Sequence, residues 1–328
     1  MRIAVIGGAG GTLGDDMVFH VIKDWLSELG VEEVYHTLPC SEDAIKKADG
    51  VILGGCGIIY DEGVVLDVKG NAEKYHTYIS LAKKHGIPAM GFGIGWQGLP
   101  LTTGKNLWIE TLNALDMITV WRGGTKQYLE SIGVDTKIVE TADLGFALQP
   151  TGNPINCDIA LLSHSPRLMA IDCHKPEWEK PLFQKLKSSF ETLSQSHSII
   201  VVPFVKETLE LLQVAESSYG VLIQGEPHRI LGAVKGARIC VTTTLHGLIM
   251  AATAGCRILA LYPPEPLKPK IRLMVEELGV RSLPFDTDWQ RIVREIELAE
   301  NDAPPNIAFQ IEQNRVNKSI LESWLKGL

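Results

Sequence analysis

Met1-Arg2-Ile3-Ala4-Val5-Ile6-Gly7-Gly8-Ala9-Gly10-Gly11-Thr12-Leu13-Gly14-Asp15-Asp16 opens the chain with an apolar run that breaks into glycines. Met1–Ile6 has the length and composition of a buried strand. The segment after the glycines, Asp15–Leu29, carries Val18, Ile22, Trp25 and Leu26 at helical spacing. A strand, a glycine turn and an amphipathic helix make one βα unit, and the rest of the chain is read by asking whether that unit recurs.

It does recur. Strands are expected at Glu33–Leu38, Gly50–Leu53, Ala89–Gly93, Met117–Val120 and Ile138–Glu140. Helices are expected after Ser41, at His76–His85, Leu107–Leu115 and Thr125–Ile132. Gln149–Asn156, with Pro150, Gly152, Asn153 and Pro154, reads as a linker. The alternation then restarts with strands at Asp158–Leu162, Ser198–Pro203, Arg238–Val241 and Arg257–Leu261. Helices there are Glu177–Ser194, Lys206–Ser217, Arg229–Val234, Leu245–Ala254, Lys270–Glu277, Trp289–Leu298 and a terminal one at Ile307–Leu325. Such alternation predicts α/β architecture with mainly parallel sheets. The expected organisation is two Rossmann-like domains, 1–150 and 151–328, facing across a cleft, with the terminal helix in the second. Ligands of such sheets bind beyond the carboxyl ends of the strands.

Bulk properties narrow the classes. With 45% apolar and 21% charged residues, each half can bury a core. A net charge of −8 argues against nucleic acid as a partner. No apolar stretch is long enough to span a membrane, and the first residues do not read as a signal peptide. The six cysteines, Cys40, Cys56, Cys157, Cys173, Cys240 and Cys256, show no C-x-x-C spacing and read as reduced thiols in a cytoplasmic protein.

Five motifs fall at strand ends. Gly8, Gly10 and Gly14 loosely match a dinucleotide fingerprint, but the second strand ends Thr37-Leu38-Pro39-Cys40 without the acid that grips a ribose. A dinucleotide is therefore not expected. The turn instead suits close backbone approach to a ligand, or simple packing of helix on strand. Gly54-Gly55-Cys56-Gly57 repeats the turn. Trp121-Arg122-Gly123-Gly124-Thr125 puts an arginine just past a strand. Thr242-Thr243-Thr244-Leu245-His246-Gly247 puts a histidine, able to give or take a proton near neutral pH, at a helix start. Tyr262–Lys270 is a proline-stiffened loop with Lys268 and Lys270, and Arg272 follows. Asp172-Cys173-His174 lacks partner ligands, so no metal is expected.

Taken in order, these motifs resemble the polysaccharide pyruvyl transferases. The matching residues are Gly14-Asp15, the run Ala48–Gly57, Arg122–Thr125, Thr141-Ala142-Asp143, and Thr244-Leu245-His246 followed by Arg257–Tyr262, Lys270 and Leu278-Gly279. The resemblance implies a glycosyltransferase-B-like fold and transfer of the enolpyruvyl unit of phosphoenolpyruvate to a sugar of a glycan or its precursor, as a pyruvate ketal. It implies His246 as acid/base, and Arg122 and Lys270 as anion ligands. Thr244, Gly8, Gly10, Asp15, Gly55 and Gly57 join the candidate substrate-binding set. The first domain is assigned to the acceptor and the second to the donor, with no cofactor. The sequence departs from the family where Thr244 replaces an arginine, Gly123 an aspartate and Arg238 an acid. Losing one charge-assisted contact costs about 1.5–3 kcal/mol, so Lys268, Arg272 or Arg229 are candidate substitutes. A nucleotide-sugar glycosyltransferase of the same fold and a non-catalytic ligand-binding homologue are the alternatives.

Overall fold

The computed structural model describes residues 1–7, 12–36, 42–60, 70–97, 101–121, 124–164, 179–204, 221–222, 224–262 and 270–328. The chain forms two compact units. The first comprises Met1–Gly11, Asp15–Ala147 and Ala308–Leu328, and the second Thr12–Gly14 and Leu148–Ile307.

In the first unit β1 (Arg2–Gly7) runs to α1 (Leu13–Glu28, whose first two residues group with the second unit), β2 (Glu33–His36), α2 (Glu42–Lys47), β3 (Gly50–Ile59) and α3 (Asn71–Lys84). Then come β4 (Ala89–Trp96), α4 (Lys105–Asn113), β5 (Ile118–Trp121), α5 (Thr125–Ile132), β6 (Ile138–Thr141) and a 3-10 turn at Leu144–Ala147. The strands form one parallel sheet in the order β2-β1-β3-β4-β5-β6. Parallel strands are covered on both faces, which is why β1 and β3 read as continuous apolar runs. One face packs Ile79, Trp108, Leu112 and Leu129 of the helices against Ile94 and Val120 of the sheet.

The second unit holds β7 (Cys157–Ser163), α6 (Glu179–Leu193), β8 (Ile199–Pro203), β9 (Val221–Leu222), α7 (Pro227–Val234) and β10 (Ala237–Thr242). It continues with α8 (Leu245–Thr253), β11 (Arg257–Tyr262), α9 (Lys270–Leu278), β12 (Arg281–Pro284) and α10 (Trp289–Ala299). Its parallel sheet has the order β12-β11-β10-β7-β8-β9. The expected fold class, two parallel α/β units, is therefore what the chain adopts.

Three expectations are corrected. The terminal helix, α11 (Ala308–Leu325), belongs to the first unit rather than the second. Polar bonds hold it there: Thr141 Oγ1 donates to Asn317 Oδ1 at 2.9 Å, Asn314 Nδ2 to the Asp143 carbonyl at 2.9 Å, and Trp324 Nε1 to Asp116 at 3.0 Å. The predicted linker Gln149–Asn156 is not free either. Thr151 and Ile155 N–H groups donate to the carbonyls of His228 and Ala233, both on α7, so the boundary falls at Leu148. Finally, β3 and β4 do not stop at their glycines but run on to Ile59 and Trp96. Gly55 (φ 70°) and Cys56 (φ 65°) make a bulge there, shifting the register between Cys56 and Ile59. The predicted helix at Lys206–Ser217 lies outside the described residues.

Candidate functional site

In open α/β sheets the strand order reverses at one point, and ligands bind at the carboxyl ends there. In the second unit that point lies between β7 and β10. Thr242 ends β10, Thr243 and Thr244 follow it, and all three are buried. Thr244 is extended and caps α8: its Oγ1 accepts from the Gly247 N–H at 2.7 Å, and its carbonyl accepts from Leu248 at 3.0 Å. A threonine before an apolar run is a preferred N-cap. His246 therefore stands in the first turn of α8, half-buried, at the helix end whose partial charge favours anions. The hydroxyl predicted to touch substrate, Thr244 Oγ1, is engaged in this capping bond.

Thr243 ties the two strand ends together. Its Oγ1 accepts from the His164 N–H at 3.1 Å and lies 3.1 Å from Ser163 Oγ. Ser163 Oγ in turn donates to the His164 carbonyl at 2.8 Å. His164 sets its ring edge-on to Phe204, 6.4 Å between centroids. Within the same unit the Leu13 N–H donates to the Phe204 carbonyl at 2.9 Å. Gly14 then lies so close to the His246 imidazole that a Cβ would overlap the ring.

In the first unit the order reverses between β1 and β3, where Gly7 and Gly54 are paired. A small recess of about 10 Å³, room for roughly one water and partly open to solvent, is lined there by Gly7, Asp15, Phe19, Gly54, Gly55 and Cys56. A side chain on Gly55 would strike Val18 of α1, and its positive φ excludes most residues independently. Tyr60 follows β3, and burial raises its phenol above the usual range, with the Asp15 carboxylate adding to the shift. Its hydroxyl thus stays protonated at neutral pH and able to donate.

The candidate residues divide accordingly. Thr244 and His246 sit together in the second unit, while Asp15 and Gly55 line the recess in the first, with Gly57 packed against Gln97. Gly8, Gly10, Arg122, Lys268 and the Asp172–His174 cluster lie outside the described residues. Lys270 begins α9, and its side chain also lies outside them. Of the cations named as substitutes, Arg272 pairs with Glu276 at 3.2 Å and Arg229 is exposed on α7. Arg238 enters β10 at the end opposite His246 and pairs with Asp158 at 3.1 Å and Glu300 at 3.0 Å. Among the described residues no three histidine, cysteine or carboxylate side chains cluster as metal ligands, and no helix is long and apolar enough to cross a membrane.

Sequence reasoning missed His164, Gln97 and Trp121. The signal for His164 was its place one residue beyond a strand. Gln97 lies beyond Gly93, the expected end of β4, and Trp121 carries no charge to set beside that of Arg122.

A model of the polysaccharide pyruvyl transferase family matches residues 13–264. That span includes Asp15, Gly55, Gly57, Arg122, Thr244 and His246, and ends before Lys270. No curated protein matches the chain. Among solved structures, UDP-GlcNAc 2-epimerase from Methanocaldococcus jannaschii superposes with a TM-score of 0.61 at 12% identity, covering 98% of this chain and 99% of the other. The S. aureus MnaA–UDP co-structure gives 0.61 at 10% identity, covering 100% and 97%. The Neisseria meningitidis UDP-GlcNAc 2-epimerase bound to UDP-GlcNAc gives 0.58 at 14% identity, covering 99% and 100%. These enzymes share a glycosyltransferase-B-like fold with this chain.

Proposed function

Because the chain belongs to the polysaccharide pyruvyl transferase family, we propose that it moves the enolpyruvyl unit of phosphoenolpyruvate onto two hydroxyls of one sugar in a glycan or its precursor. The products are a cyclic pyruvate ketal and inorganic phosphate. The observation that carries this reading is His246 in the first turn of α8, at the switch point of its sheet.

The chemistry asks for what that position offers. A proton is delivered to the methylene carbon of phosphoenolpyruvate, and one sugar hydroxyl adds to the central carbon and gives up its proton. The second hydroxyl then displaces phosphate at the same carbon, and its proton leaves with the phosphate. His246 is the acid that protonates the methylene and the base that takes a hydroxyl proton. The N–H groups at the start of α8 support binding of an anionic oxygen, and Arg122 and Lys270 supply full positive charges by family resemblance. The first unit takes the sugar and the second the phosphoenolpyruvate. Four buried free thiols, Cys56, Cys157, Cys240 and Cys256, fit a reducing, cytoplasmic setting.

The test is phosphate release from phosphoenolpyruvate in the presence of nucleotide sugars and short glycans. His246→Gln should lower kcat by about 10²–10⁴-fold. Absence of release with every acceptor, together with a thermal shift by UDP but none by phosphoenolpyruvate, would replace this reading with nucleotide-sugar chemistry. Retained activity in His246→Gln would remove the histidine from the mechanism.

A further inference from the structure

Two buried polar atoms stand without a hydrogen-bond partner at the carboxyl ends of β4 and β5 in the first unit: Gln97 Oε1 and Trp121 Nε1. Gln97 is 8% exposed and Trp121 3%. The orientation of the amide is settled by its neighbour. Gln97 Nε2 donates to the Gly57 carbonyl, which can only accept, so Oε1 is the atom left over. The backbone holds the residue as well, since the Gln97 N–H donates to the Ile59 carbonyl at 3.1 Å. The indole nitrogen of Trp121 can only donate. One acceptor and one donor are therefore left over at adjacent strand ends.

Two glycines make room for them. A Cβ on Gly57 would strike the Gln97 amide, and one on Gly95 would strike the Trp121 indole. The indole thus occupies the side-chain position of Gly95, and Gln97 stands two residues further on. Strand alternation puts both groups over the same face of the sheet. A phenylalanine would fill the space of Trp121 with no unmatched polar atom, and the bond from Gln97 Nε2 to the Gly57 carbonyl leaves its Oε1 unexplained, so packing alone does not account for the pair.

We propose that Gln97 Oε1 and Trp121 Nε1 form a recognition pair for a hydroxyl of a neutral sugar. A hydroxyl both donates and accepts, so it satisfies the amide oxygen and the indole together. A carboxylate or phosphate oxygen only accepts. It would satisfy the indole and be repelled by the amide oxygen. The pair thus selects the sugar and rejects phosphoenolpyruvate. In taking that sugar to be the acceptor, the inference rests on the function proposed above.

The test watches the indole itself. The chain has seven tryptophans. With ¹⁵N-labelled tryptophan each gives one indole N–H signal, and Trp121→Phe identifies its own by deleting it. Galactose, glucose, N-acetylglucosamine and N-acetylmannosamine are titrated separately, then phosphoenolpyruvate. The expected result is that at least one sugar moves the Trp121 signal and phosphoenolpyruvate leaves it in place. Gln97→Leu should weaken binding of that sugar about five- to tenfold, as loss of one hydrogen bond does. Retention of the other indole signals shows that either variant is folded.

The inference is overturned if no sugar moves the Trp121 signal, if phosphoenolpyruvate moves it, or if Gln97→Leu binds as tightly as the parent. These outcomes separate it from the proposed reaction. Sugar binding at Trp121 without phosphate release sustains the pair and sinks the reaction. Phosphate release with an unmoved Trp121 does the reverse.

Discussion

Thr244 Oγ1 accepts the Gly247 N–H at 2.7 Å, and this bond fixes the first turn of the helix that carries His246. Thr244 is thus a buried helix cap, 4% exposed. Thr244→Ala should lose about 1–2 kcal/mol of stability and lower kcat as the turn loosens. Thr244→Ser should keep both, because it keeps the acceptor. Thr244→Arg should be less stable than Thr244→Ala, since it also places a guanidinium in a buried position. Chemical denaturation and phosphate release measure the series.

Gly14 lies against the imidazole of His246 with no room for a side chain. Gly14→Ala adds one methyl group in a helical position where alanine is otherwise favoured. The collision must therefore be relieved by moving the histidine or the turn. Under the function proposed above, the expected outcome is a fall in kcat of about tenfold or more, since small misplacements of a catalytic group are that costly, with a much smaller change in melting temperature. Equal activity in Gly14→Ala would show that His246 need not stand where it does.

The βα repeat was legible because parallel strands are buried on both faces and so appear as unbroken apolar runs. Val51–Leu53 and Ile239–Val241 are plain examples. Glycine misled at the strand ends. Gly54–Gly57 looked like a turn, yet it lies inside β3 as a bulge and as space for neighbouring side chains, and β4 runs on past Gly93. The very short β9 and the four-residue β12 carried too little pattern to be seen. The terminal helix was recognised as a helix, but its destination was not. That depends on side-chain bonds between residues more than 170 positions apart, Thr141 to Asn317 and Asp143 to Asn314, which no local pattern encodes. The place of His246 at a helix start was legible from the strand before it. Gln97 was invisible because its interest lies in an unmatched atom.

Asn317 is fully buried on α11. It accepts from Thr141 Oγ1 at 2.9 Å and donates to the Ala142 carbonyl at 3.2 Å and to Asn314 Oδ1 at 3.1 Å. Asn317→Leu leaves the Ala142 carbonyl and Asn314 Oδ1 without this donor, while Thr141 Oγ1 keeps the Val120 carbonyl, at a cost of about 2–4 kcal/mol. The loss should appear in unfolding of the first unit. Hydrogen exchange should show faster opening of β6 and the 3-10 turn at Leu144–Ala147, with β10 and α8 of the second unit unchanged.

The second unit should carry a distinct acid sensitivity. Asp158 accepts from the Ser198 N–H and Oγ, each at 2.8 Å, and from Arg238 at 3.1 Å. The Ser198 backbone and hydroxyl, then Arg238, hold its carboxyl below the usual range. Arg281 does the same for Asp302. A carboxylate with a lowered folded value contributes stability that is complete above its unfolded pKa, about 4, and is lost as pH falls through the folded value. Stability measured between neutral pH and pH 3 should therefore decline for the parent. Asp158→Asn should be less stable at neutral pH by about 1–2 kcal/mol, a partly exposed carboxylate being worth less than a buried one. It should also show a shallower decline, because the group that titrates is gone. Parallel curves for parent and variant would mean that the Asp158 carboxylate contributes nothing to the acid transition.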